Sequence, residues 1–264
     1  MKYLNDSYID IEKLAHNKKD EYVSASPFPH IVIDNFFNKQ LLEDVLKEFP
    51  GDLENIGKHF DNKVEKKLSL NNSRLLSTGT NNFINFLNSQ IFLNFLQIIT
   101  GVKEKLVPDP YLLGGGLHEL RNEGFLNVHA DFNLHPGMKL DRRLNILIYL
   151  NKNWEEKFGG SLQLWNNEMS ACEHKILPEF NRMVIFSTTD FSYHGNPDKV
   201  DCPANNSRKS IAMYYYSNGR PSSERKLGLH STIFRKRPNT GDPDGNIEFK
   251  KLFGQFYLRK KKKI

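Results

Sequence analysis

The sequence predicts a mainly β protein of the α+β class, a sheet rolled into a sandwich or barrel. Supporting helices come from its N-terminal part. Three observations carry this expectation. From Tyr111 onward the apolar period is that of strands. Turn signals divide that region: Gly114-Gly115-Gly116, His135-Pro136-Gly137, Gly159-Gly160, Asn166-Asn167 and Asn196-Pro197. Many short strands so spaced suggest a sandwich or barrel. Upstream, the apolar residues recur at helical spacing instead.

Residues 1–24 read as a polar leader, with Ile9, Ile11 and Leu14 giving a short helix a small apolar patch. Pro27-Phe28-Pro29 breaks that pattern, and His30–Phe37 reads as a strand. Asn38 can cap a helix through about Phe49, with Leu41, Leu42, Val45 and Leu46 on one side. Pro50-Gly51 stops it. Residues 52–79 are charged and Asn-rich without a clear period, so loops and a short helical turn are expected. Thr80 or Asn81 begins a helical region to Thr100, with a break near Ser89-Gln90 and Gly101 as its C-terminal cap. Strands are then expected at Tyr111–Leu120, Gly124–Ala130, Arg143–Leu150, Ser161–Trp165, Arg182–Ser187, Tyr193–His194 with the residues just after it, and Ser210–Tyr216. Residues 218–264 read as covering segments, with a short helix near Phe249–Phe256 and a basic end. The chain divides as 1–105, strand and helices packing on the core; 106–220, the core; and 221–264, cover and tail. All three belong to one integrated domain.

Composition narrows the function. A mean hydropathy of −0.58 argues for a soluble protein, and no apolar run approaches the roughly 18 residues that span a bilayer. The start of the chain lacks a signal-peptide pattern, so a cytoplasmic location is expected. Two cysteines, Cys172 and Cys202, are too few for a disulfide framework and read as free thiols. The net charge of +6 owes much to Arg259-Lys260-Lys261-Lys262-Lys263. A terminal basic run is a solvated end in its plainest reading; it is the one feature that suggests nucleic acid.

Phe125–Asp131 reads as a strand ending in His129-x-Asp131. Side chains two apart on a strand share a face, so the pair can hold two positions of one metal. His194, following the strong strand Arg182–Ser187, supplies a third ligand. Two imidazoles and one carboxylate bind non-haem Fe(II) with positions left open for a bidentate cosubstrate and dioxygen. The plainer reading of the pair is a surface histidine beside a turn-capping aspartate. His118 alternates with apolar neighbours and can line the same cavity. His30, His135, His174 and His230 read as structural or substrate-facing.

An acidic cosubstrate needs a cation, and arginine pairs both oxygens of a carboxylate. Arg208 and Ser210 lie two apart at the start of a strand, so both can face inward while Lys209 faces away. Tyr149 can meet the same carboxylate, and Asn145 shares its face by parity. The alternatives are an edge-strand arginine and a core tyrosine with its hydroxyl at the rim.

Taken in order, these pieces resemble the 2-oxoglutarate- and Fe(II)-dependent oxygenases, in particular the prolyl-4-hydroxylase-like group. They are His129-x-Asp131, Leu147-Ile148-Tyr149-Leu150-Asn151-x-x-Trp154, Gly159-Gly160-Ser161-Leu162-Gln163-Leu164, Arg182–Phe186, His194 and Arg208-x-Ser210. Phe28–Phe36 also resembles the first strand of such enzymes. The resemblance implies a double-stranded β-helix, or jelly roll, with helices on one side. It implies His129, Asp131 and His194 as iron ligands. Arg208, with Tyr149 and Ser210, would bind the distal carboxylate of 2-oxoglutarate, and Asn145 would line that pocket. The stretch from His194 to Arg208 is longer than the family pattern, and Asp198–Asn206 reads as an added loop. The implied reaction couples oxidative decarboxylation of 2-oxoglutarate to hydroxylation of an aliphatic C–H bond, such as one on a prolyl residue of a protein or peptide. Ascorbate would sustain the ferrous state. The alternatives are the same chemistry on a free amino acid or sugar derivative, and a non-catalytic jelly-roll binding module.

Overall fold

The computed structural model describes residues 2–243 and 245–246 of the chain. The basic end and the helix expected at Phe249–Phe256 lie outside the described residues. Five α-helices occur among those described: α1 (Ile11–Val23), α2 (Lys39–Lys47), α3 (Leu53–Ile56), α4 (Thr78–Leu87) and α5 (Gln90–Thr100). The early strands are β1 (His30–Asp34), β2 (Lys58–Asp61), β3 (Glu65–Leu70) and β4 (Leu106–Pro108). Then come β5 (Gly116–Leu120), β6 (Phe125–Ala130), β7 (Asp141–Tyr149), β8 (Leu162–Trp165) and β9 (Cys172–Ile176). The last are β10 (Arg182–Ser187), β11 (His194–Asn196), β12 (Arg208–Ser217), β13 (Ile233–Phe234) and β14 (Gly245–Asn246).

The strands form one continuous sheet in the order β1-β10-β7-β12-β5-β3-β6-β11-β8-β9, antiparallel at every step. Strands adjacent in sequence, such as β5 and β6, fall in opposite halves of this path. The sheet therefore curls into a double-stranded β-helix, with β3 bridging its two halves. Inside, Tyr149, Val184 and Phe186 of one half pack against Leu162, Leu164 and Ile176 of the other.

Strand alternation decides what faces where. On β7, Leu144, Ile146 and Ile148 point to the helices; on β10 and β12 the same side carries Met183, Ile185, Ile211, Met213 and Tyr215. Against these pack Ala15 of α1, Leu42 and Val45 of α2, Phe83 and Leu87 of α4, and Phe92, Phe95, Leu96 and Ile99 of α5. Local chemistry starts the helices where they start. Asn38 accepts from Leu41 N at 3.0 Å, and Ser77 and Ser89 cap α4 and α5. Gly101, at φ 67°, ends α5 in the left-handed conformation. No single described helix is long and apolar enough to cross a membrane. The bent pair α4–α5 has the length and composition, and its apolar face is core.

Two expectations are corrected. Residues 52–79 contain the expected short helical turn, α3, but also the β2–β3 hairpin where loops were expected. β3 lacks a clean alternation because it is held by backbone pairing to β5 and β6 at once. β9 was not anticipated either: it is an edge strand, and only Ile176 in it is buried.

The aromatic cluster behind the sheet makes one test. Phe92 is fully buried and contacts Phe36, Phe37, Phe86, Phe95 and Tyr215. Phe92→Ala should lower stability by about 3–5 kcal/mol, read from urea unfolding followed by circular dichroism.

Candidate metal and cosubstrate site

β6 and β11 pair with His129 opposite His194, which puts their ring centroids 4.5 Å apart. Asp131, just past the end of β6, reaches both. Its Oδ1 lies 3.5 Å from His129 Nε2 and its Oδ2 lies 3.4 Å from His194 Nε2. One donor atom from each residue falls within 4.8 Å of the others, and all three residues are buried. Each ring presents Nδ1 to a carbonyl two residues earlier: Asn127 O at 2.8 Å for His129, Ser192 O at 2.9 Å for His194. A carbonyl only accepts, so Nδ1 carries the hydrogen and Nε2 keeps its lone pair for a ligand. Burial pushes the His194 imidazole down to about 4 despite the nearby Asp131, so it is neutral at ordinary pH. Burial also works to raise the Asp131 carboxyl; Arg142, His194 and His129 outweigh it and hold the group well below the usual carboxylate range. Two imidazole nitrogens and one ionised carboxylate on a cavity wall fit a divalent transition metal with positions left open.

Arg142 stands against Asp131 and is 1% exposed. Its Nη2 lies 3.2 Å from Asp131 Oδ2. Its Nε and Nη2 donate to Asn145 Oδ1 at 3.0 and 2.7 Å, and Asn145 Nδ2 donates to Asp131 Oδ2 at 2.7 Å. The guanidinium lies over the Tyr214 ring at 3.5 Å and the Phe132 ring at 4.5 Å. Sequence reasoning missed Arg142 for a physical reason. In a regular strand, residues 142 and 145 face opposite sides. A bulge pairs Tyr215 with Leu144 and the next residue, Tyr216, with Arg142, so Arg143 is the extra residue. Arg143 instead bonds Glu104 and Ser217.

The cavity, about 340 Å³, runs from the triad to Arg208. Arg208 is 3% exposed; its Nε donates to Gly160 O at 2.7 Å and its Nη2 to the Tyr149 hydroxyl at 3.4 Å. Among the described residues no carboxylate pairs with it, and burial lowers its pKa with only Tyr149 opposing. Gly160 sits at φ +69°, and a Cβ there would meet Arg208 Cδ at 2.9 Å, so a side chain would push the guanidinium aside. Ser210 also lines the cavity, opposite Tyr149 on β7 and His118 on β5. Lys209 faces away, toward Glu119 and Phe49. Asn145 lines the same cavity, as expected, but at a distance from Arg208. Four residues of strand, about 13 Å, separate it from Tyr149. It therefore sits at the Asp131 end of the cavity, not beside Arg208.

Among the described residues, His129, Asp131 and His194 are the one cluster of three such side chains close enough for a metal. His118 lines the cavity, with its Nε2 3.0 Å from Gly114 O. His230 pairs with Asp190 at 2.7 Å, and Asn133 donates to the same carboxylate at 3.2 Å. That network ties down the segment leading into β13, whose Phe234 pairs with His129 in register and lies 5.4 Å from its ring. Ser231, Thr232 and Phe234 line the cavity with the β2–β3 hairpin's Lys58, Phe60, Glu65 and Lys67.

The rolled sheet thus holds this cluster at one end of a cavity and, at the other, an arginine with no carboxylate partner among the described residues. Residues 115–216 match the family model of the 2OG-Fe(II) oxygenase superfamily. Three solved structures share the fold. A prolyl-4-hydroxylase from Pseudomonas putida is 15% identical at TM-score 0.58, covering 78% of this chain and 100% of that one. A prolyl 4-hydroxylase from Phytophthora capsici is 20% identical at TM-score 0.53, covering 81% and 68%. A prolyl hydroxylase from Trichoplax adhaerens, solved with a hypoxia inducible factor oxygen degradation domain peptide, is 18% identical at TM-score 0.50, covering 85% and 96%. No protein of curated function matches the sequence.

Two histidines that line the cavity, His118 and His194, predict a pH response. Burial, with Lys67, pushes His118 down to about 3, and burial pushes His194 down to about 4. The unfolded chain protonates such rings near 6.5. Between those values the unfolded state binds more protons, so stability falls as pH falls. The metal-free protein should melt at progressively lower temperature as pH drops from 6.5 toward 4. His118→Gln should make that dependence shallower; an identical slope in melting curves across pH would contradict the assignment.

Proposed function

We propose that the protein is an Fe(II)- and 2-oxoglutarate-dependent hydroxylase acting on an aliphatic C–H bond, with a prolyl residue of a protein or peptide as its substrate. The observation that carries this reading is one cavity with the His129–Asp131–His194 cluster at one end and an unpaired, buried Arg208 at the other. His129 and His194 would hold the iron through Nε2, and Asp131 through one carboxylate oxygen. Bound together, iron and 2-oxoglutarate supply the activation of dioxygen and the oxidative decarboxylation that drives hydroxylation.

The chain's own residues do the rest. Arg208 takes the distal carboxylate in a charge-assisted pair, with the Tyr149 and Ser210 hydroxyls adding hydrogen bonds. Leu147, Leu162 and Phe186 wall the cavity with apolar surface and exclude water from it. The β2–β3 hairpin and the segment around β13 flank the space where substrate enters. A peptide substrate is supported by the fold shared with prolyl hydroxylases, one of them solved with a peptide. The same chemistry on a free amino acid or sugar derivative is favoured by one feature: Phe234, which lines the cavity with Ser231 and Thr232, stands 5.4 Å from the His129 ring and narrows the space beside the triad. Ascorbate serves as the accompanying reductant in this reading. Free Cys172 and Cys202 suit a reducing cytoplasm.

Two tests decide the reading. His129→Ala should abolish stoichiometric anaerobic iron binding and the turnover of 2-oxoglutarate to succinate; retained iron would refute the ligand set. Arg208→Ala should weaken 2-oxoglutarate about 10- to 150-fold, the equivalent of a lost charged hydrogen-bond partner at about 1.5–3 kcal/mol. Unchanged affinity in a binding titration would place the anchor elsewhere. Substrate class is then read by mass spectrometry, as a gain of one oxygen on proline-containing peptides or on small molecules.

A further inference from the structure

We propose that Asn145, set by Arg142, is a positioning residue for the metal-binding carboxylate of Asp131. The proposal rests on the oxygenase reading above and deepens its metal site. Three observations carry it. Asn145 Nδ2 donates to Asp131 Oδ2 at 2.7 Å, the shortest polar contact that carboxylate makes. Arg142 approaches the same oxygen at 3.2 Å, so Oδ2 is claimed twice. Oδ1 faces His129 and takes neither of these bonds, whereas Oδ2 carries both of them and also lies 3.4 Å from His194 Nε2. The two bonds therefore fix the rotation of the carboxylate and leave Oδ1 as the oxygen free of them.

The amide has two ends, and only one arrangement works. If the Asn145 oxygen faced Asp131, two acceptors would meet and the carboxylate would lose its donor. Arg142 prevents that. Its Nε and Nη2 both donate to Asn145 Oδ1, at 3.0 and 2.7 Å, so the oxygen must face the guanidinium and the NH₂ must face Asp131. Arg142 is itself immobilised: it is 1% exposed and stacked between Tyr214 and Phe132. Its backbone carbonyl accepts from Thr188 Oγ1 at 3.0 Å. A rigid arginine therefore fixes an amide, and the amide fixes the carboxylate. Partners of this kind orient a metal ligand before the metal arrives.

Arg142 adds positive charge beside the metal, which opposes binding, while Asn145 is neutral. The asparagine therefore isolates orientation from charge, and it is the residue to change. In an anaerobic Co(II) titration, Asn145→Leu should bind about 10- to 100-fold more weakly than wild type, with an altered ligand-field spectrum. At saturating Co(II), its affinity for 2-oxoglutarate should stay near that of wild type, because Arg208 lies at the other end of the cavity. Co(II) affinity and spectrum equal to wild type would overturn the proposal. So would a 2-oxoglutarate loss as large as the metal loss, which would make Asn145 a cosubstrate contact. Should Asn145→Leu not fold, Arg142→Lys decides in the same titration. It keeps the charge and loses the fork, so weakened Co(II) binding supports the proposal and unchanged binding overturns it. If wild type itself takes up no Co(II), the oxygenase reading falls and this one with it; wild-type binding with an indifferent Asn145→Leu sinks this one alone.

Discussion

The Asp131 carboxylate lies inside the rolled sheet, where an ionised oxygen pair costs several kcal/mol unless charge and hydrogen bonds compensate it. That compensation is gathered from three strands. β6 brings His129, β11 brings His194, and β7 brings Arg142 and Asn145. The three come from separate parts of the chain, and only the curl of the sheet sets them around one point. Removing one partner from a buried pair typically costs about 3–5 kcal/mol, because the remaining charge is left bare. The fold and the site therefore answer to the same constraint. Whatever holds the two halves of the sheet in register also keeps this carboxylate ionised.

What holds them in register is alternation. Each strand of the helix-bearing half sends one set of side chains to the helices and the other into the cavity. On β12, Ile211, Met213 and Tyr215 enter the helical core, while Arg208, Ser210 and Tyr214 line the cavity. A slip of one residue would bury Lys209 and expel Arg208. The apolar core thus enforces the polar site. It also gives the cavity a direction along β7 and β12: a metal-ligand end at Asn145 and Tyr214, and a cationic end at Tyr149 and Arg208.

Much of this was legible before any coordinates. His-x-Asp at a strand end, a later histidine and Arg-x-Ser on a following strand are two-residue spacings, and strand parity turns them directly into shared faces. The start of α2 and the break before α5 were legible because Asn38 and Ser89 act locally. The start of α4 was misplaced: its cap is Ser77, a turn before the Thr80 or Asn81 expected. What could not be read was whatever depends on a distant strand. β3 forms because β5 and β6 offer it backbone partners. Arg142 faces the cavity because of a bulge opposite Tyr215 and Tyr216, and no pattern within β7 announces that shift. Asn145 lines the cavity as its parity suggested, but its contact with Asp131 could not be read, since parity gives direction and not distance along the strand.

The edge of β6 carries the argument one step further. β11 covers one edge of this ligand-bearing strand. The other is shared by two segments far apart in sequence: β3 pairs at Phe125 and Leu126, and β13 pairs at His129 and Ala130. An open edge here would offer unpaired backbone to any passing strand, beside the most reactive groups in the molecule. Closing it from outside the barrel makes the same two segments line the cavity, through Lys67 and Ser69 on one side and Phe234 on the other. Neither contributes a metal-ligating side chain to the triad. This divides the labour. The barrel strands carry ligand geometry and tolerate little change, whereas the two covering segments need only keep their backbone pairing. Their cavity-facing side chains are therefore the positions at which one scaffold can accept a different substrate without disturbing the carboxylate at its centre.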